Sequence, residues 1–206
     1  MTVYVPAHFA NDERALAVKA IREQNFAILI STGADGEPFV THCPLVIDDA
    51  GSTIVGHLAR ANGHWKLWHD QARALAVFPG AHAYISPTWY QSPLSVPTWN
   101  YVAVHASGII RIVESREARE AALEQLIAVH EPSWLPHWQS QADDFRGKLL
   151  DAIVAFEIDV DRIDAKYKLS QNRPAIDRET VAARLDAQHD DAKAVARWMR
   201  EIVAHA

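Results

Sequence analysis

Three stretches of this 206-residue chain carry side chains that could hold a ligand with an anionic end and a flat aromatic end. The first is GHLARANGHW (Gly56–Trp65), placed directly after a strand-like run. Arg60 is followed by Asn62, Gly63 and His64 at what reads as a helix start. A guanidinium beside unpaired backbone N–H groups and a helix dipole makes a phosphate site. The same residues fit a solvated surface cation next to an asparagine that only caps the helix. The second is VPTWNY (Val96–Tyr101), where Thr98 and Asn100 flank Trp99 and suit the polar edge of an otherwise apolar heterocycle. Trp99 and Tyr101 fit equally as large core residues at a strand start. The third, KYKLSQNR (Lys166–Arg173), sets three cations among Ser170, Gln171 and Asn172, for an anionic ligand, a partner subunit or an exposed charged turn.

Other chemistries have no motif here. There is no G-x-G-x-x-G, no G-x-x-x-x-G-K-[ST], no G-x-S-x-G and no H-E-x-x-H. His57, His64 and His69 do not align on one helical face, so no metal site is read from the eleven histidines. Cys43, the single cysteine, excludes an internal disulfide and reads as a buried apolar residue. No catalytic residue is marked; His105, on the polar face of its strand, is the best candidate for a general base. A formal charge of −6 argues against a broad nucleic-acid surface. Residues 177–206 hold six acidic side chains against five basic, which is poor for a DNA recognition helix. MTVYVPAHFANDER lacks a basic and apolar leader pattern, and no apolar run approaches the ~20 residues of a membrane span. A cytoplasmic protein without membrane contact is the expectation.

The elements that must position these groups read as a meander. Asn11 or Asp12 caps a first helix to about Gln24, with acidic residues in its opening turn. Strands follow at Phe26–Thr32, apolar on both faces, then Phe39–Ile47 and Ser52–Leu58, joined by short turns. Short strands at Ala74–Phe78 and His82–Ile85 are separated by Pro79-Gly80. Between Gly80 and Tyr101 runs a stretch with five Trp and Tyr rings, three prolines and no Lys, Arg, Asp or Glu. Its stiffness and flat faces suit a wall for a planar ligand, a subunit contact, or a plug over one end of a barrel. Val102–Ile112 alternates as a strand, Ser115 caps a helix, and EPSWLPHW reads as irregular. Helix Gln141–Leu149, strand Val154–Val160 and two helical segments after Asp177 complete the chain. The expectation is a mainly β fold with peripheral helices (α+β). It is a six- to seven-stranded antiparallel barrel in a single domain, 1–206, with 177–206 a helical C-terminal extension.

HLARANGHW, AYISPTWY, VPTWNY and KLSQNR, in this order, with VYVPAHF at the start, resemble the PaiB-type family of FMN-binding negative transcriptional regulators. The resemblance runs from residue 3 to about residue 185. It implies an FMN-binding split barrel, a homodimer with flavin at the subunit interface, and a link to repression of sporulation and extracellular-protease genes. Carried over to this chain, it implies Arg60, Asn62, His64 and Trp65 at the ribityl phosphate, and Thr98, Trp99 and Asn100 near the isoalloxazine. Lys168, Gln171 and Asn172 would close the site, from the same or the partner subunit. One departure is Gly63, where the family form has proline before His64. A regulator acting indirectly or as a ligand sensor is the first reading. A flavin-dependent oxidoreductase on the same fold is the alternative, and a haem-handling relative is a third.

Overall fold

A computed structural model describes residues 4–11, 13–92 and 94–204. Six strands, β1 (Phe26–Thr32), β2 (Pro38–Ile47), β3 (Thr53–Ala59), β4 (Arg73–Ile85), β5 (Thr98–Ile112) and β6 (Ile153–Lys168), close a barrel in the order β1-β2-β3-β6-β5-β4. The pairs β1/β2, β1/β4, β2/β3 and β3/β6 are antiparallel, with Ile30 opposite Val40 and Leu75, and Gly56 opposite Phe156. Among the described residues, six α-helices accompany the sheet: α1 (Arg14–Glu23), α2 (Arg116–His130), α3 (Leu135–Ser140), α4 (Asp143–Asp151), α5 (Ala175–Asp186) and α6 (Asp190–Ala204). The mixed α+β barrel expected from the meander is the fold observed.

The chain forms two compact units. The barrel unit comprises residues 14–78 and 105–163. The second comprises the described residues of 1–13, 79–104 and 164–206.

In the barrel unit, period-two patterning sends Leu29, Leu45, Ile54, Phe156 and Ile158 fully inward. Each is worth about 1.5–3 kcal/mol of burial. β1 buries Ala27, Leu29 and Ser31 and leaves its other face half-buried, with Phe26 exposed. Gly108 marks the tightest strand contact: a Cβ there would lie 1.9 Å from the Asp159 carbonyl oxygen, so only glycine fits. Ser115 caps α2 as expected, its Oγ accepting from the Ala118 N–H at 3.1 Å. EPSWLPHW is more ordered than expected. It forms a 3-10 turn at Pro132–Trp134 and the short helix α3, because each proline falls in a first turn where no N–H is needed.

The expected pair of short strands at Ala74–Phe78 and His82–Ile85 is one strand, β4. Its inward positions switch from Ala74, Ala76 and Phe78 to Ala81, Ala83 and Ile85. Pro79-Gly80 absorbs the extra residue as a bulge does. In the second unit, Asn11 accepts from the Glu13 N–H at 2.8 Å, just ahead of α1. The first turn of α1 holds no acidic residue, contrary to the expectation, because Glu13 precedes it. Val3, Asp12 and Pro93, all used in the sequence reading, lie outside the described residues. α6 buries Val195, Trp198, Met199 and Ile202, a stripe at helical spacing. Trp198 meets the buried ring of Tyr167 at 5.7 Å.

Candidate functional site

The predicted ligand groups fall into two clusters, one in each unit. In the barrel unit, β3 ends at Ala59 and the chain turns through Arg60–Asn62 into a 3-10 turn at Gly63–Leu67. Asn62 caps that turn, its Oδ1 accepting from the His64 N–H at 3.0 Å. The Asn62 Nδ2 donates to Thr41 Oγ1 at 3.2 Å, and the same hydroxyl lies 2.9 Å from His64 Nδ1. The His64 ring is fully buried. It stacks on Phe39 at 4.6 Å and tilts against Trp68 at 5.3 Å. Trp68 donates to Ser31 Oγ at 3.1 Å and packs edge-on to Phe156. Burial pushes the His64 pKa down to about 4, so the ring is neutral near pH 7. Its Nε2 is buried without a partner among the described residues.

Arg60 turns elsewhere. Its Nε donates to the Asp151 carbonyl at 2.6 Å and its Nη2 to the Ile153 carbonyl at 2.8 Å, where α4 gives way to β6. Trp65 donates its indole N–H back to the Arg60 carbonyl at 3.0 Å. The loop is thus held by its own side chains. Asn62 and His64 tie it to β2, and Arg60 ties it to the end of α4. No metal-binding group of three His, Cys, Asp or Glu occurs among the described residues. Cys43 is buried, and burial pushes its thiol up to about 12, which keeps it protonated and unreactive.

In the second unit, Thr98 opens β5 and Lys168 closes β6. The Lys168 ammonium donates to Thr98 Oγ1 and, at 2.7 Å, to the Trp99 carbonyl. Partial burial, then the neighbouring Lys166 charge, pushes its pKa down from the ordinary lysine value. The Trp99 ring is 52% exposed, with Tyr84 edge-on at 6.0 Å and His82 at 6.1 Å. An exposed indole beside a cation and a hydroxyl matches the polar rim and face of a flat ligand. Asn100 is buried and exchanges hydrogen bonds with Ser170 Oγ at 2.9 and 3.2 Å. Ser170 adopts φ +65°, a left-handed turn residue held by that exchange. Gln171 folds back on its own turn, accepting from the Leu169 N–H at 2.8 Å and donating to the Tyr167 carbonyl. Asn172 is exposed.

Two further residues, Asp177 and Arg173, fasten the aromatic loop. Asp177 is buried in the first turn of α5, where its Oδ1 accepts from the Gln91 N–H at 2.9 Å and ties down the aromatic loop. Arg173 lies over the buried Tyr90 ring at 4.4 Å and fastens the same loop. The proline at position 174 ahead of an acidic first turn was the available signal for Asp177. Tyr90 is buried, whereas Tyr84 stays exposed beside Trp99.

Residues 3–162 match the family model described as "Putative FMN-binding domain". The chain belongs to this family. It is 34% identical over 203 residues to the protease synthase and sporulation protein PAI 2 of Bacillus subtilis, covering 97% of both chains. It is also 30% identical to an uncharacterized yeast protein, YKL070W of Saccharomyces cerevisiae, across 54% of this chain and 79% of that one. Among solved structures, the flavocytochrome Anf3 of Azotobacter vinelandii superposes with a TM-score of 0.62 at 16% identity, covering 80% of this chain and 72% of that one. An FAD and haem binding protein of Mycobacterium smegmatis does so at 0.61 and 16% identity, covering 84% and 78%. At such identity the likeness is one of fold. No helix among the described residues is long and apolar enough to cross a membrane.

Proposed function

We propose that this chain is an FMN-binding regulatory protein of the PaiB type. It acts as a cytoplasmic homodimer with flavin at the subunit interface, and represses indirectly or as a ligand sensor. The observation that carries the reading is the end-to-end match, 34% identity over 97% of both chains, to a protein named for protease synthesis and sporulation. The family match over residues 3–162 supports FMN as the ligand. The near balance of acidic and basic side chains in residues 177–206 supports action without a direct grip on DNA.

The second-unit cluster fits a flavin. Trp99 offers an exposed flat face, and Lys168 places a cation at its edge through the Thr98 and Trp99 contacts. Bound FMN supplies a planar redox-active ring with polar edges. Lys168 and Thr98 orient that edge, while Asn100 and Gln171 hold the backbone that presents them. Asn172, exposed on the same turn, is free to meet the ligand. In the barrel unit, Asn62 and His64 contribute by fixing the backbone of their loop. The reading is tested by adding FMN to the purified chain: saturable quenching of flavin fluorescence with a rise in Tm supports it. Neither change at any FMN concentration refutes it. A gel shift on promoter DNA should show no complex at physiological salt, and a tight salt-resistant complex would overturn indirect action.

A further inference from the structure

At one end of the barrel unit, β3, β5, α2, α4 and β6 meet around a cleft of about 380 Å³. That is the size of a small-molecule site. Its apolar lining is Trp65, Ile112, Val113 and Val154. The rest carries both signs of charge: Arg60 and Arg119, Glu114 and Asp151. Arg119 Nη1 donates to the Leu150 carbonyl at 3.2 Å and to Asp151 Oδ1 at 3.3 Å. Those bonds leave Nη2 uncommitted among the described residues, one charge-assisted donor for a carboxylate. The Arg119 Nε–H is buried and has no acceptor among the described residues. Glu114 lies exposed on the same cleft, immediately before the Ser115 cap, and forms no ion pair among the described residues.

Two cations and two carboxylates disfavour a phosphate dianion and an inorganic cation alike. They suit a ligand that carries both charges. We propose that this cleft binds a small zwitterion, an α-amino acid with an apolar side chain. Its carboxylate pairs with the Arg119 guanidinium, its ammonium pairs with Glu114, and its side chain lies on Trp65, Ile112 and Val154. The site belongs to the barrel unit alone and does not depend on the flavin reading. It gives a regulator a metabolite to sense.

The test is calorimetric titration of the intact chain with L-leucine and L-phenylalanine. Isocaproate and isoamylamine, which keep one charge each, serve as controls. The expected result is saturable binding of the amino acids, at least about tenfold tighter than either control. Glu114→Gln, at an exposed position, should weaken leucine about tenfold and leave isocaproate unchanged. Arg119→Gln should weaken both; if the loss of its bond to the end of α4 unfolds the chain, Glu114→Gln decides alone. The proposal is overturned if neither amino acid binds, if isocaproate binds as tightly as leucine, if Glu114→Gln leaves leucine affinity unchanged, or if FMN displaces leucine competitively.

Discussion

Acidification from about pH 7.5 to about pH 4 should loosen the Gly63–Leu67 turn through one ring. His64 is buried between Phe39 and Trp68, and its pKa falls from the ordinary 6.5 to about 4. The folded protein therefore holds the His64 proton less firmly than the unfolded chain does. The stability that His64 contributes is complete above pH 6.5, is lost as pH falls, and levels off below about 4. The gap corresponds to about 3 kcal/mol, a large share of a stability of about 5–15 kcal/mol. His57, whose pKa burial also lowers, adds in the same direction. Asp48, Asp161 and Asp186 are held below 3.8 by hydrogen bonds and lose their contributions only in more acidic solution. Urea unfolding followed by tryptophan fluorescence, at both ends of this pH range, isolates the effect when wild type is compared with His64→Gln. Wild type should lose about 3 kcal/mol more than the variant. Equal losses, or an NMR titration of the His64 ring near 6.5, would refute the argument.

Gly108→Ala should cost about 3 kcal/mol or more, because the new Cβ meets the Asp159 backbone rather than a movable side chain; thermal unfolding of the variant checks it. Gly63→Pro should raise stability by about 0.4–1 kcal/mol. Space around a Gly63 Cβ is open, it is the first residue of its 3-10 turn, and Asn62 already has the extended ψ of 117° that proline requires before it. A lower urea midpoint would contradict that. Lys168→Met should weaken FMN at least about tenfold while leaving circular dichroism unchanged. Unaltered affinity would remove Lys168 from the flavin site.

The strands and most helices were legible because their signals are local: alternation in β5, the Ser115 cap, the four-residue stripe of α6. What sequence obscured was set by contacts across the chain. Pro79-Gly80 looked like a break, yet Gly80 lies so close to Val102 that a Cβ would meet its carbonyl oxygen at 2.7 Å, and the strand continues. Arg60 looked available for a phosphate, yet its guanidinium reaches carbonyls about ninety positions later in the chain. Its partner in the cleft, Arg119, sits in α2, and its bonds reach Leu150 and Asp151 about thirty positions later in the chain. Asn62 and His64 carried a recognisable motif, but the motif did not disclose that Thr41 and Phe39 of β2 would bury one of them. The Thr98–Lys168 contact joins residues seventy positions apart, and only their shared motif order hinted at it.

Binding of FMN is measured by equilibrium titration of the flavin into the purified chain, read by flavin fluorescence. A saturable quench that Lys168→Met weakens and His64→Gln leaves largely intact near pH 7 is the predicted result. A fluorescence trace indistinguishable from free FMN across the titration would contradict it.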